Sequence, residues 1–323
     1  MTQPRDLQTV SIVGLGALGI LFGGQLAQAL GPEQVRVVAG AARAERYRQE
    51  GVEMDGATVP FTYLTPEDTP APADLVLVCV KFHQLEAVRP LIASQLGPDT
   101  LIVSALNGIS SESVLAEWFG PERLVYAVAQ EMDARKEGRR LIYRDRGQLV
   151  IGAMTQDKAE TERVERVAEL FRRTHFPHTV VDDMPRRLWG KWMLNVGVNQ
   201  TVALYRGTFA TVQAEGEARD TFKAAMREVL ALSAHAGTGL TKDDFRYWLR
   251  VMDGLDPAAK PSLAQDLEAG RPTELELFAG TVIRLGREYG VPTPVNERLY
   301  AGIRALEVQA SVSSSGTSVS SNK

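Results

Sequence analysis

Lys191, Asn195 and Asn199 stand four residues apart in Lys191-Trp-Met-Leu-Asn195-Val-Gly-Val-Asn199, a stretch that is otherwise apolar. At about 3.6 residues per turn they share one helix face, an amine followed by two amides. Burying that stripe costs free energy unless it meets partners. It therefore lines a polar cleft, holds a ligand, or belongs to a hydrogen-bond network inside the protein. A second polar cluster runs from Pro261-Ser262 to Arg271-Pro-Thr273-Glu274-Leu-Glu276. Thr273 reads as the N-cap of a helix with Glu274 in its first turn, where a carboxylate favours the positive end of the dipole. Alternatively, the loop and helix start present Ser262 and Glu274 to a cleft.

A different chemistry is written near the N-terminus. The β-branched run Thr9 to Val13 leads into Gly14-Leu15-Gly16-Ala17-Leu18-Gly19, after which Leu21, Phe22, Leu26 and Leu30 recur at helical spacing. Strand, glycine turn and helix in that order form a dinucleotide fingerprint. The first glycine permits the turn, the second lets a pyrophosphate approach the backbone, and the third lets helix and strand pack closely. An acidic residue about 20 positions on would hold a ribose 2′-hydroxyl. Here the end of the second strand reads Val38-Ala-Gly-Ala-Ala-Arg43 instead. With no carboxylate to repel a 2′-phosphate and a guanidinium to grip it, the segment favours NADPH, with Arg43 as the contact and Arg46 as its substitute. Lys81 and Asn107 follow two further apolar strands, at the carboxyl ends where such sheets place ligand contacts.

These residues require a scaffold of two kinds. Strand candidates at Thr9 to Val13, Val35 to Val38, Leu75 to Val80, Leu101 to Ser104, Leu124 to Ala129, Gln148 to Gly152 and His178 to Val181 alternate with helix-length segments, among them Lys158 to Arg173. That pattern predicts an α/β Rossmann domain with a doubly wound, mainly parallel sheet over residues 1–181. The charged segment Gln130 to Gly138 is read either as part of the mouth of a site or as a surface loop. From Pro185 the pattern turns helical, with helices at Arg187 to Leu204, Glu215 to Ala236, Thr273 to Tyr289 and Val295 to Glu307, so residues 182–308 form an all-α domain. The serine-rich remainder, 309–323, lacks the apolar residues to order itself and reads as a disordered tail.

Composition narrows the partners. A net charge of -4 and a pI near 5.7 give no general attraction to phosphate backbones or anionic lipid, and no basic patch is interleaved with aromatics. Nucleic acid is not expected as a partner. No apolar run approaches the ~20 residues that span a bilayer, so neither a membrane partner nor a location outside the cytoplasm is expected. Cys79, the only cysteine, lies in a buried-strand pattern and reads as a packed thiol. The four histidines form no ligand-like group, so no metal site is expected.

Four blocks in order carry a family resemblance: GLGALG at 14–19, VCVK at 78–81 with ALNG at 105–108, KWMLNVGVN at 191–199, and PSLAQDLEAGRPTELE at 261–276. Up to about residue 308 the chain resembles the ketopantoate reductase (2-dehydropantoate 2-reductase) family. The last two blocks carry the specificity, because glycine fingerprints are common to many oxidoreductases. The resemblance implies reduction of 2-dehydropantoate to (R)-pantoate by NADPH, on the route to pantothenate and coenzyme A, by two domains that close over the substrate. It implies that Lys191 is the general acid, that Asn107 positions that lysine and the cofactor, and that Glu274 bonds the substrate hydroxyl and interacts with Lys191 and the cofactor side. Asn195, Asn199 and Ser262 would orient the substrate. Gly14 to Gly19, Arg43 and Lys81 would hold NADPH. A related reductase of another small 2-oxo acid and a non-catalytic NADPH sensor are the competing readings. The oligomeric state is left open, a homodimer included.

Overall fold

The computed structural model describes residues 6–68 and 70–316, with side chains through 309. It divides into two compact units, residues 1–184 and 185–323.

The first unit is built on one sheet. Its elements are β1 Val10–Val13, α1 Ala17–Leu30, β2 Val35–Val38, α2 Ala41–Glu50, β3 Glu53–Met54, β4 Ala57–Thr58, β5 Thr62–Leu64, β6 Leu75–Val78, α3 Leu85–Ala93, β7 Leu101–Ser104, α4 Ser111–Phe119, β8 Leu124–Glu137, β9 Arg140–Gly152, α5 Lys158–Arg173 and β10 His178–Val181. The strands run in the order β4-β3-β9-β8-β7-β6-β1-β2-β5, with β10 on β9. From β5 to β8 every neighbouring pair is parallel. β1 and β6 are buried along their whole length, as strands covered on both faces must be. The chain leaves β1 toward β2 on one side and later returns to β6 on the other, so the crevice between their carboxyl ends is the topological switch point of the sheet.

The charged segment Gln130 to Gly138 is not a surface loop: it is strand up to Glu137 and the hairpin turn at Gly138. It forms the distal half of β8, antiparallel to β9 from Tyr126↔Gly152 to Glu137↔Arg140. From Glu131 to Glu137 exposed residues alternate with Met132, Ala134 and Lys136, which are half-buried. The alternation has the two-residue period of a strand with one covered face, and Met132 and Ala134 pack against the main core. The three short strands β3 to β5 have two or three residues each and carry no periodicity that sequence can show.

The second unit comprises α6 Met184–Leu204, α7 Phe209–Gln213, α8 Glu217–His235, α9 Lys242–Asp253, α10 Ser262–Glu268, α11 Ala279–Tyr289 and α12 Pro294–Gly316. Its centre is α6. A Cβ at Gly190 would stand 2.3 Å from Trp248 Nε1, and one at Gly197 2.7 Å from Phe222 and Met226, so α8 and α9 press directly on its backbone.

Two helix readings change. The helix expected from Thr273 begins only at Ala279, after a single 3₁₀ turn at Leu275–Leu277. The cause is a tertiary contact: Trp192 Nε1 donates to the Leu277 carbonyl at 2.9 Å and Phe278 adopts φ -99°, ψ -97°, while the Thr273 hydroxyl donates to Glu307 at 2.5 Å and, among the described residues, accepts only from Leu275 N–H, at 3.4 Å. Glu274 therefore does not sit in the first turn of an α-helix. At the other end α12 continues to Gly316, into the stretch read as disordered from its serines, and 317–323 lie outside the described residues. Among the described residues no helix is long and apolar enough to cross a membrane.

Candidate active site

In the first unit the glycine turn follows β1 at the switch point. Gly14 has φ +102°, and a Cβ there would stand 2.7 Å from Val80 Cγ1 and 2.8 Å from the Cys79 carbonyl carbon. At Gly19 a Cβ would fall 1.9 Å from the Gly14 carbonyl oxygen. Both glycines are thus required by the fold itself. Gly16 is different: its nearest would-be contact is 3.8 Å away and it is exposed, so protein packing places no demand on it. It is also the N-cap of α1, with no side-chain cap and no acidic residue in the first turn. An open helix N-terminus beside a glycine that the protein does not need is what close approach of a pyrophosphate would require.

Next to the turn lies a cleft of about 660 Å³ lined by Gly40 to Arg43, Arg46, Val80, Gln84 and residues of α3. The N-terminus of α2 opens onto it, again without a side-chain cap or an acid in the first turn. Arg43 and Arg46 are both exposed, and neither is paired with a carboxylate among the described residues. An uncompensated cationic edge at the end of β2 fits a phosphate-bearing dinucleotide.

Lys81 and Asn107 occupy the same edge of the sheet. Lys81 precedes a short 3₁₀ turn, and its backbone N–H donates to Gln84 Oε1 at 3.3 Å. Asn107 follows β7, whose exit is tied to β6 by Ala105 N–H donating to the Val78 carbonyl at 2.9 Å. The Asn107 side chain is half-buried, and its amide has no protein partner among the described residues. Beneath its loop a buried chain of polar groups holds the backbone: Leu106 N–H donates to Ser104 Oγ, Ser104 and Ser111 hydroxyls meet at 2.8 Å, and Ser111 donates to Glu112 Oε2 at 2.9 Å. Burial pushes the Glu112 carboxyl up to about 7, against the opposing hydrogen bond from Ser111. Sequence reasoning passed over this support, since Ser104, Ser111 and Glu112 form no motif. Cys79 is a buried thiol, its pKa raised by desolvation.

In the second unit α6 carries the amine-amide stripe. Asn199 is 5% exposed, and its Oδ1 accepts from both Ser262 Oγ and Leu263 N–H at 3.2 Å, capping α10 from outside. Two residues singled out separately in sequence are thus joined, and among the described residues the Asn199 Nδ2 donors are taken by no protein acceptor. Asn195, half-buried one turn earlier, has no side-chain hydrogen bond among the described residues. Lys191 is half-buried one turn before that. Its neighbour Trp192, 1% exposed and in edge contact with Trp189 at 5.1 Å, fixes the 3₁₀ turn that follows Glu274. The loop before Glu274 is anchored by Arg271 to the buried Asp266 at 2.8 Å. Each side chain of the stripe, and the backbone at Glu274, is therefore held by packed elements rather than by a free loop.

The family model for ketopantoate reductase PanE/ApbA matches residues 10–156, and that for the ketopantoate reductase PanE/ApbA C-terminal domain matches 183–307. This chain belongs to the ketopantoate reductase family. The family is one of NAD(P)-dependent oxidoreductases. The chain is similar to a 2-dehydropantoate 2-reductase of Caulobacter vibrioides, 28% identical over 93% of this chain and 99% of the relative. Among solved structures it is similar to 2-dehydropantoate 2-reductase from Geobacter metallireducens GS-15, with 27% identity, a TM-score of 0.81, and coverage of 92% of this chain and 99% of that one. It also shares its fold with a D-mandelate dehydrogenase solved with NADH and anilino(oxo)acetate, at 20% identity, TM-score 0.84, and coverage of 94% and 99%. Within the family's two matched regions lie all the candidate site residues, from Gly14 to Glu274.

Proposed function

We propose that this chain reduces 2-dehydropantoate to (R)-pantoate with NADPH, the N-terminal unit binding the dinucleotide and the helical unit carrying the substrate and proton-donor groups. The observation that carries the reading is the stripe on α6: among the described residues the Asn195 amide and the Asn199 Nδ2 have no protein partner, on the same face as Lys191. Packing alone gives no reason for unused amide groups in line on the apolar stretch 191–199.

In this reading NADPH supplies the hydride to the substrate ketone when bound. Lys191 stabilises the oxyanion that develops on the former carbonyl oxygen and delivers a proton to it. Asn195, the Asn199 Nδ2 and Ser262 orient the substrate carboxylate and hydroxyl, and Glu274 takes the hydroxyl hydrogen bond. The open N-termini of α1 and α2 with Gly14 to Gly19 receive the pyrophosphate and ribose, Arg43 receives the 2′-phosphate, and Lys81 and Asn107 border the nicotinamide half. The family membership and the curated 2-dehydropantoate 2-reductases support the substrate, and the uncompensated Arg43 and Arg46 support NADPH over NADH.

A second reading, a reductase of another small 2-oxo acid, draws support from the shared fold with D-mandelate dehydrogenase. The deciding experiment is turnover of the purified protein, followed by loss of reduced-nicotinamide absorbance, with 2-dehydropantoate against a panel of 2-oxo acids that includes an aromatic one. The highest kcat/KM with 2-dehydropantoate and NADPH upholds the proposal. A higher value with another member of the panel transfers the assignment to that substrate class.

A further inference from the structure

Lys136 points the wrong way for a lysine. It occupies the covered phase of β8, between exposed Arg135 and Glu137, and it is half-buried. Its ammonium donates to the Leu15 carbonyl at 2.9 Å, inside the glycine turn, and lies over the Tyr47 ring of α2 at 5.6 Å. No carboxylate pairs with it among the described residues, and its remaining N–H donors have no protein acceptor. Burial depresses its pKa, and the repulsion of Arg46 and Arg43 adds to the depression, with Glu50 offsetting them only in part. A strand that alternates cleanly could have placed a methionine or alanine here, as it does at Met132 and Ala134. Instead it brings a third cation to a place that already holds two arginines unpaired among the described residues, at a cost that a bound anion would relieve.

We propose that Lys136 is a specificity-determining residue of the dinucleotide site, closing the cradle for the adenosine 2′-phosphate from the β8–β9 hairpin while Arg43 and Arg46 close it from α2. This rests on the NADPH reading above and adds a residue from an element that the glycine fingerprint does not include. The location selects the 2′-phosphate over the pyrophosphate. Leu15 lies between the first two glycines, and Tyr47 lies one turn beyond Arg43. The positive charges that act on Lys136 are Arg46 and Arg43 on α2, the helix that follows the end of β2, where the substituent on the adenosine ribose is read. One ammonium N–H fixes the turn through Leu15, leaving the others directed to a ligand oxygen.

The test is calorimetric binding of 2′,5′-ADP and of 5′-AMP to the full chain, as wild type, Lys136→Met, Lys136→Arg and Arg43→Ala, with thermal melting of each. Lys136→Met keeps an unbranched side chain of similar length and removes the charge together with the hydrogen bond to the Leu15 carbonyl, which Lys136→Arg can restore. We expect wild type to prefer 2′,5′-ADP, Lys136→Met to lose roughly 10-fold of that preference with 5′-AMP affinity nearly unchanged, and Lys136→Arg to retain most of it. If Lys136→Met keeps the wild-type preference while Arg43→Ala loses it, Lys136 is only a structural tie and the proposal falls alone. If Lys136→Met weakens both nucleotides equally, the lysine acts through the glycine turn and the specificity role falls. A wild type that does not distinguish the two nucleotides overturns the NADPH reading and this proposal together.

Discussion

The two units prepare for ligands by opposite means. At the glycine turn and the β2 end, the first unit works by omission: a Cβ is missing at Gly16, side-chain caps are missing on α1 and α2, and among the described residues no carboxylate pairs with Arg43 or Arg46. The second unit works by addition, setting an amine and two amides into an apolar helix packed on both sides. Backbone amides and a few cations suffice to grip a phosphate-bearing cofactor whose chemistry is its own. A reaction that needs a proton at one atom must be served by a side chain placed to within a fraction of an ångström. The difference teaches where mutations should hurt: binding in the first unit, turnover in the second.

The sharpest way to break this comparison is Lys191→Ala. Loss of a general acid lowers kcat by roughly 10²- to 10⁴-fold, and the dinucleotide dissociation constant, measured by nicotinamide fluorescence, should hold within a factor of about two. A variant that loses cofactor affinity in step with turnover would erase the division of labour. The complementary pair lies in the glycine turn. Gly16→Ala should melt like wild type yet bind dinucleotide at least ~10-fold more weakly, because only a ligand needs that space. Gly19→Ala, whose Cβ would sit 1.9 Å from the Gly14 carbonyl oxygen, should lower the melting temperature as well. Equal melting temperatures for the two variants would show that the fold does not distinguish these glycines.

Much of this was legible in the residues, and the misses have physical causes. Elements with buried runs or strong periodicity, such as β2, β7 and α5, are found where the pattern puts them, and Asn199 and Ser262, 63 positions apart in sequence, are found hydrogen-bonded. The start of α11 was misread because Thr273 and Glu274 satisfy a local capping pattern. A tertiary contact, Trp192 to the Leu277 carbonyl, decides the backbone there instead. α9 has a sequence signal of its own, the reciprocal capping box of Thr241 and Asp244, but no uninterrupted apolar run to go with it. Lys136 was hidden in a segment that looked merely charged; the alternation of Met132, Ala134 and Lys136 with Glu131, Asp133, Arg135 and Glu137 was its signal.

Within α6 itself the comparison can be sharpened further, because the helix also holds a polar residue of the opposite character. Gln200 is fully buried and saturated: its Nε2 donates to the Val196 carbonyl at 2.7 Å and to Asn296 Oδ1 at 3.0 Å, and its Oε1 accepts from Ala279 N–H at 3.1 Å. Gln200→Ala leaves buried groups on α11 and α12 unpaired and should cost on the order of 2 kcal/mol, seen as a melting temperature several degrees lower. Asn195→Ala removes an amide with no protein partner. It should melt within about a degree of wild type while KM for the 2-oxo acid rises. If Asn195→Ala destabilises as much as Gln200→Ala, the stripe is a structural network.

The smallest effect concerns the ground under Asn107. Glu112 is buried, Oε1 has no partner, and its folded-state pKa is raised from 4.5 to about 7 by desolvation. Between those values the folded chain holds a proton that the unfolded chain has released, so raising the pH through this window removes stability. Below about 4.5 both states are protonated and above about 7 both are ionised, so the contribution is flat on either side. Glu112→Gln keeps the hydrogen bond from Ser111 without a titrating charge. Its melting temperature should therefore fall less than that of wild type across this window, and the two curves should run parallel above it. Asn107 lies in the loop that the Ser104-Ser111-Glu112 chain supports, and ionising Glu112 strains that support from below. The cofactor affinity of wild type should accordingly weaken modestly over the same pH range and that of Glu112→Gln should not. A matching pH dependence of affinity in both proteins would place the titrating group elsewhere.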